Sequence, residues 1–328
     1  MIIDVPVSLD TNKMSTPKKP PFKYAGSKAR MLKKYELSGF LVEEPKMFVD
    51  MFSGSTQVAY WVRQHYPKLP IVINDLNVEL NQLYHVMINH TDEYQQWHRK
   101  LLQPYLAITP PPKPAVSPER KEYYYELRQR YWDRDFANEV EESALLMFMM
   151  RINFNGFWGQ SKAYPGRYAT TAGNMWWKKK WFDQLEVDEL DFIEFLKSCV
   201  ITCEPYENTA KWIDKGSWMY ADPPYRLSAE SYRAAGEFDD TCQEQLCDFM
   251  KDVHRAGGYG ALSNREHHEN QKIKWVATSR GRSHTAGGWF GDKFSDDWTM
   301  HMYTDHKYTA GRHDSEGCLA TEILIKNY

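Results

Sequence analysis

The chain is short of cysteine, of long apolar runs and of net charge, and each shortage argues against a class of protein. Its five cysteines, Cys199, Cys203, Cys242, Cys247 and Cys318, form no C-x-x-C pair. An odd number of them with no signal peptide argues against a disulfide-stapled secreted framework and predicts reduced thiols in the cytoplasm. No apolar stretch is long enough to span a bilayer, so no membrane role is expected. With 41 basic and 44 acidic residues the formal net charge is −3, so no global polycation announces nucleic acid. His267-His268 lacks ligand spacing, and no metal is expected. There is no G-x-G-x-x-G, no internal repeat and no low-complexity tract.

What is present is a core-sized chain of 328 residues, 15% aromatic, with locally clustered cations. Lys13, Lys18, Lys19, Lys23, Lys28, Arg30, Lys33 and Lys34 crowd the start, and Lys178-Lys179-Lys180 lies among Trp176, Trp177 and Trp181. Such runs suit phosphate contact, but for any single run a solvated charged face is the more common reading. Residues 1–20, rich in Pro, Lys and Ser/Thr, read as a loose arm. Helices are predicted over Ser27 to Leu37, Thr56 to His65, Leu76 to Asn89, Pro118 to Arg134, Glu139 to Arg151 and Asp240 to Arg255. Strands are predicted over Met47 to Met51, Ile71 to Asn74, Val200 to Glu204, Ser217 to Ala221, Tyr259 to Ser263 and Thr321 to Ile325. The alternation predicts a parallel α/β sheet. The proline-dense run Pro104 to Pro118 marks a boundary, and a mostly helical insertion is expected over residues 91–197, between catalytic-domain halves at 21–90 and 198–328.

The most informative stretch is Tyr220-Ala221-Asp222-Pro223-Pro224-Tyr225. Two prolines past a strand end fix a rigid, extended turn, at the sheet edge where open α/β folds bind ligands. The turn offers a carboxylate, carbonyls and an aromatic face, the parts that hold an exocyclic amine and stack its ring. Taken alone it is also ordinary loop punctuation. Upstream, Phe48-Val49-Asp50-Met51-Phe52-Ser53-Gly54-Ser55 reads as strand, glycine turn, helix, which brings backbone N–H groups close to a ligand or makes a plain tight turn. Asp75 follows Ile71-Val72-Ile73-Asn74 about 20 residues on, the offset of a ribose-binding acid; a helix N-cap is the other reading.

Together with Pro21-Phe22-Lys23-Tyr24-Ala25-Gly26-Ser27-Lys28, these motifs resemble, in order, the DNA adenine methylases of the Dam type. The resemblance runs over nearly the whole chain from Pro21, with Leu262-Ser263-Asn264 and Thr321 to Tyr328 similar to later family strands. It implies a Rossmann-like methyltransferase sheet flanked by helices, with a target-recognition insertion. It implies S-adenosyl-L-methionine as co-substrate, bound by Tyr24, Ala25, Gly26, Lys28, Asp50, Phe52, Gly54, Asp75 and Asp222. It implies catalysis at Asp222, Pro223, Pro224 and Tyr225. Double-stranded DNA would be the partner, contacted by Lys23, Asn153, Asn155, Phe157 and Arg167, with a monomer or weak dimer and a place in restriction-modification expected. GATC is the target suggested. The chain departs from the family at Met51, at Ser53-Gly54-Ser55, and at Gly159, where an arginine usually reads a guanine; Arg151, Lys162 and Arg167 are the replacements considered.

An adenine amine is a poor nucleophile because its lone pair is delocalised. Accepting both N–H bonds frees the pair, so positioning and electrostatics carry the reaction without a covalent intermediate, and the base must leave the stack. Asn in place of Asp222 would favour RNA or protein glutamine, and Ser would favour cytosine N4. Those chemistries, a non-catalytic DNA-binding relative, and transfer of a group larger than methyl are the alternatives.

Overall fold

Short apolar runs that alternate with helices have to be buried on both sheet faces, and the computed structural model shows that arrangement. It describes residues 2–4, 16–24, 26–109, 117–154, 156, 168–173, 179–226, 238–266, 275–278, 281–284, 288–303 and 321–328. The sheet core is β2 (Met47–Asp50), β3 (Ile71–Asn74) and β5 (Ser217–Ala221), with successive side chains sent to opposite faces. Phe48, Ile71, Ile73, Trp218 and Tyr220 enter one apolar core, and Val49, Val72, Met219 and Ala221 enter the other.

Among the described residues the main sheet has eight strands. β4 (Cys199–Thr202), β3, β2, β5 and β6 (Tyr259–Glu266) run parallel, in that order. β10 (Thr321–Lys326) adds antiparallel to β6 and to β9 (Thr299–Tyr303). β1 (Ile2–Asp4) lies outermost, parallel to β9. A separate hairpin joins β7 (Trp275–Thr278) to β8 (Gly281–His284). From β2 the chain crosses through α2 (Gln57–His65) to β3 on one side, whereas β5 crosses through α8 (Asp240–Arg255) to β6 on the other. The direction of winding therefore reverses between β2 and β5, and their carboxyl ends open onto one crevice.

Several expectations are corrected. The segment Ser27 to Leu37 is a 3-10 turn (Lys28–Arg30) followed by α1 (Leu32–Leu37), and Lys28, in that turn, is buried to 4% exposure. The arm is not loose throughout: Ile2–Asp4 is a strand, and Gln57 and Gln64 bond the backbone of Lys18. Helix α4 (Thr91–Ala107) carries Pro104 inside it. The lost N–H is tolerated there because Leu101, Leu102 and Tyr105 are buried, and packing outweighs one missing bond.

Within residues 91–197, α6 (Glu139–Ile152) is buried nearly all round and packs on α3 (Val78–Asn89), α4 and α5 (Pro118–Asp133). Ser117 and Asn138 cap α5 and α6 through their side chains. The last helix before β4, α7 (Lys179–Lys197), lies against the sheet helices instead: Phe192 meets Tyr60 of α2 and Tyr84 of α3 at ring-centre distances of 5.5 and 5.9 Å.

Candidate active site

The carboxyl ends of β2, β3 and β5 sit side by side because the three strands are parallel and in register. That register alone brings together Asp50, Asp75 and Asp222. The turn after β2 is pinned strand to strand: the Met51 N–H donates to the Tyr220 carbonyl at 2.9 Å and the Ser53 N–H to the Asn74 carbonyl at 2.8 Å. Gly54 has φ +45, and a Cβ there would lie 3.0 Å from Cε1 of Tyr24. Both features favour glycine there, and the contact shows where the Lys23-Tyr24 segment meets the turn. Phe52 packs between Tyr206 and Phe238, at 5.2 and 5.7 Å between ring centres, as an aromatic wall.

Asp75 does not cap α3. Asn77 does, accepting from the Leu80 N–H at 3.0 Å. Asp75 instead accepts from the Gly54 N–H at 2.7 Å and the Asn77 N–H at 2.9 Å, so it ties the end of β3 to the glycine turn. Burial raises its carboxyl above the usual range, and those two amides offset part of the rise. Asp50 is more extreme. It is 1% exposed, and neither of its carboxylate oxygens has a well-aligned hydrogen bond among the described residues, although the Ala59 backbone amide faces it. Burial first, then the charges of Asp222 and Asp75, push it well above the usual range; the Ala59 amide and the Lys28 ammonium offset less. A buried acceptor without a donor costs free energy, and here it borders the crevice.

At the end of β5 the Asp222 carboxylate makes three polar contacts with two residues, Lys28 and Ser263. Lys28 Nζ lies 2.6 Å from Oδ1 and 2.5 Å from Oδ2, and the Ser263 hydroxyl donates to Oδ1 at 2.8 Å. Ser263 in turn shares a 2.9 Å bond with the Tyr220 hydroxyl. The Pro224 carbonyl accepts from Gln243 Nε2 at 2.8 Å, whereas among the described residues no donor bonds the Pro223 carbonyl. Tyr225 is held from both sides: its hydroxyl donates to Glu322 Oε1 at 2.6 Å, and Lys28 lies 4.8 Å from its ring centre. Beyond the turn, Arg226 pairs with Asp240.

The sequence-predicted site residues thus fall into groups. Tyr24, Gly26, Lys28, Asp50, Phe52, Gly54, Asp75, Asp222, Pro223, Pro224 and Tyr225 all belong to this edge and the segment packed on it. Lys23 and Asn153 lie beside it, at the end of α6: Lys23 Nζ donates to the Asn153 carbonyl at 3.1 Å. Asn153 is buried, and its side chain is engaged with the Tyr168 hydroxyl and the Gly156 N–H. Burial lowers the Lys23 ammonium to about 8. Ala25, Asn155, Phe157 and Arg167 lie outside the described residues, as do Gly159, Lys162 and Lys178. Arg151 is corrected outright as a replacement base reader. It is 1% exposed and donates to the Pro21 carbonyl and to Glu189, each at 3.0 Å.

Sequence reasoning missed Glu322, Ser263 and Gln243 as working parts of the edge. For Glu322 a signal existed, because a carboxylate stands inside the apolar strand Thr321-Glu322-Ile323-Leu324-Ile325, where only a partnered charge is tolerated. Gln243 gave none.

The sequence matches the family described as D12 class N6 adenine-specific DNA methyltransferase over residues 24–284. The Type II methyltransferase M.MjaIII of Methanocaldococcus jannaschii is 26% identical over 254 residues, which are 75% of this chain and 84% of that protein. The DNA adenine methylase of Salmonella typhi is 26% identical over 56% of this chain and 60% of its own length. That of Escherichia coli K12 is 24% identical over 66% and 74%. The chain belongs to the D12 class of N6 adenine-specific DNA methyltransferases, and its sheet is the Rossmann-like methyltransferase sheet expected of it.

Proposed function

We propose that this enzyme transfers the methyl group of S-adenosyl-L-methionine to N6 of an adenine flipped out of a short duplex target, with GATC the first candidate. The observation that carries the reading is the Asp222 carboxylate, fixed by Ser263 at the winding reversal of the sheet and followed by a turn whose Pro223 carbonyl has no donor among the described residues. Two acceptors on one rigid turn suit the two N–H bonds of an exocyclic amine. Asp222 accepts one and the Pro223 carbonyl the other, which localises the nitrogen lone pair. Tyr225 offers its ring to the base. Once the new C–N bond has formed, N6 carries one proton too many, and Asp222 is in reach to take it.

The donor fits the residues present. The buried Asp50 carboxylate, with no well-aligned hydrogen bond among the described residues, borders the crevice, where a cationic amino acid head would compensate it. The Gly54 turn permits a close backbone approach, Phe52 forms an apolar wall, and Asp75 has the position of a ribose acceptor. When bound, the donor supplies an electrophilic methyl on a sulfonium that leaves with the bond pair; the chain supplies geometry and charge. Residues 21–90 and 198–328 would hold this chemistry, and residues 91–197 would read the target, with the protein acting as a monomer or weak dimer. The relatives named Type II methyltransferases support a restriction-modification role.

Incubation with labelled donor and unmethylated DNA, followed by digestion to nucleosides, should give N6-methyladenine as the labelled product. Label in cytosine, or in protein alone, would overturn the reading, and sequencing the modified sites gives the target.

Asp75→Ala should weaken donor binding by roughly 1–3 kcal/mol, the scale of a lost hydrogen bond to a charged group. Asn77 still caps α3 in that variant, so the helix should persist. Calorimetry that finds unchanged donor affinity with a lowered Tm would reduce Asp75 to a brace for the Gly54 turn.

Lys23 should contact a base from the end of α6. Its ammonium is lowered to about 8, so it is charged below that pH and neutral above it. Discrimination at one target position, worth about 1–3 kcal/mol, should therefore decline as pH rises from 7 to 9, and Lys23→Ala should abolish that pH dependence. A site preference that is flat with pH in the parent, or unchanged in Lys23→Ala, would remove Lys23 from target reading.

A further inference from the structure

Glu322 lies on β10, beyond the residues matched to the family, yet one of its oxygens gathers the active edge. Glu322 Oε1 accepts from the Tyr225 hydroxyl at 2.6 Å and from the Tyr35 hydroxyl at 3.2 Å. The same oxygen lies 3.9 Å from Lys28 Nζ, in a side chain only 2% exposed. Lys28 meanwhile sits on both oxygens of Asp222 at 2.6 and 2.5 Å. The pair therefore holds closed the acceptor that an incoming amine needs. Removing a 5%-exposed ammonium from its carboxylate without another partner would leave a buried charge uncompensated. A second carboxylate within reach of the same nitrogen solves that problem.

We propose that Glu322 is a positioning residue for the transfer: it fixes the Tyr225 ring through the hydroxyl and receives the Lys28 ammonium when the target amine takes Asp222. No covalent step is involved. Lys28 passes between two carboxylates, so the buried charge stays paired throughout, and Tyr225 keeps its orientation because its anchor is on the receiving side. Tyr35 supplies a further donor from α1, which keeps Glu322 in place while Lys28 is on Asp222.

This inference rests on the adenine methyl-transfer reading, and the test separates the two. Glu322→Gln keeps the shape and an acceptor for Tyr225 but removes the charge that receives Lys28; Glu322→Asp keeps the charge on a shorter arm. Steady-state methylation of a duplex carrying the sequenced target, calorimetry with donor, and the fluorescence of 2-aminopurine at the target position are measured for each. That probe is bright when flipped and dimmed by stacking on an aromatic ring. The expected result for Glu322→Gln is a kcat at least about tenfold lower, donor affinity within threefold of the parent, and retained dimming. Glu322→Asp should keep more activity than Glu322→Gln, an order that a merely shape-filling role would reverse. Tyr225→Phe, which cuts the anchor from the other side, should lose dimming, and it tests the anchor even if neither Glu322 variant folds. Glu322→Gln with parental kcat, the reversed order, or Tyr225→Phe with parental dimming would overturn the proposal alone. A parent protein that leaves adenine unmethylated would overturn both it and the underlying reading.

Discussion

Replacing Asp222 with alanine should lower kcat by about 10²-fold or more, the typical cost of losing a preorganised acceptor, while duplex affinity stays within a few-fold. The carboxylate is the only acidic group on the Pro-Pro turn and receives Ser263 at 2.8 Å. Without it the amine meets a single carbonyl, and its lone pair stays in the ring. Affinity for the duplex comes mainly from phosphate contacts, and Asp222, being negative, makes none of these. Among the described residues the variant leaves Lys28 with Glu322, at 3.9 Å, as its one ion-pair carboxylate, so a modest fall in Tm should accompany the loss. Asp222→Asn, which keeps one acceptor oxygen, should retain more activity than Asp222→Ala. Single-turnover methylation beside fluorescence anisotropy separates the two effects. Near-parental turnover in Asp222→Ala would remove the residue from catalysis.

The second large effect is on stability. Arg151→Met should cost about 3–5 kcal/mol in urea unfolding, because one partner of a buried ion pair is removed and the other charge is stranded. Arg151 and Glu189 are each 1% exposed and 3.0 Å apart. Arg151 also holds the Pro21 carbonyl at 3.0 Å, and through it the start of the segment that carries Lys23 and Tyr24. Burial already raises the Glu189 carboxyl, and the Arg151 guanidinium is the largest offset. Without that offset the rise should grow. An acid with a raised folded pKa binds more protons folded than unfolded, so the stability of Arg151→Met should recover as pH falls toward that of an ordinary glutamate. Arg151→Met with Glu189→Leu should regain part of the loss at neutral pH, since the stranded charge is gone, while the Tyr94 hydroxyl and the Pro21 carbonyl, partners of Glu189 and Arg151 in the parent, are left unsatisfied. A near-silent single variant would mean that the pair is not buried in solution, and Arg151 would return as a candidate for the DNA surface.

Local sequence determined the elements whose residues also fill the core. The runs Phe48-Val49, Ile71-Val72-Ile73 and Trp218-Met219-Tyr220 could only be buried strands, and α8 begins and ends where its pattern does, at Asp240 and Arg255. Because parallel strands end on one edge, the motif order also determined that Asp50, Asp75 and Asp222 would converge. Only the tertiary structure decided which partner each acid received. Lys28 meets Asp222 across 194 residues and Tyr225 meets Glu322 across 97, and no local pattern encodes such pairs. Asp75 and Asn77 are both competent caps by type, and the position of the Gly54 amide made Asp75 a brace and left the cap to Asn77. Arg151 reads as a surface cation until α4, α6 and α7 close over it. Pro104 reads as a helix end until the buried face of α4 outweighs it. In each case the side chain allows two outcomes of similar local free energy, and burial against a distant element, worth more than either, selects one.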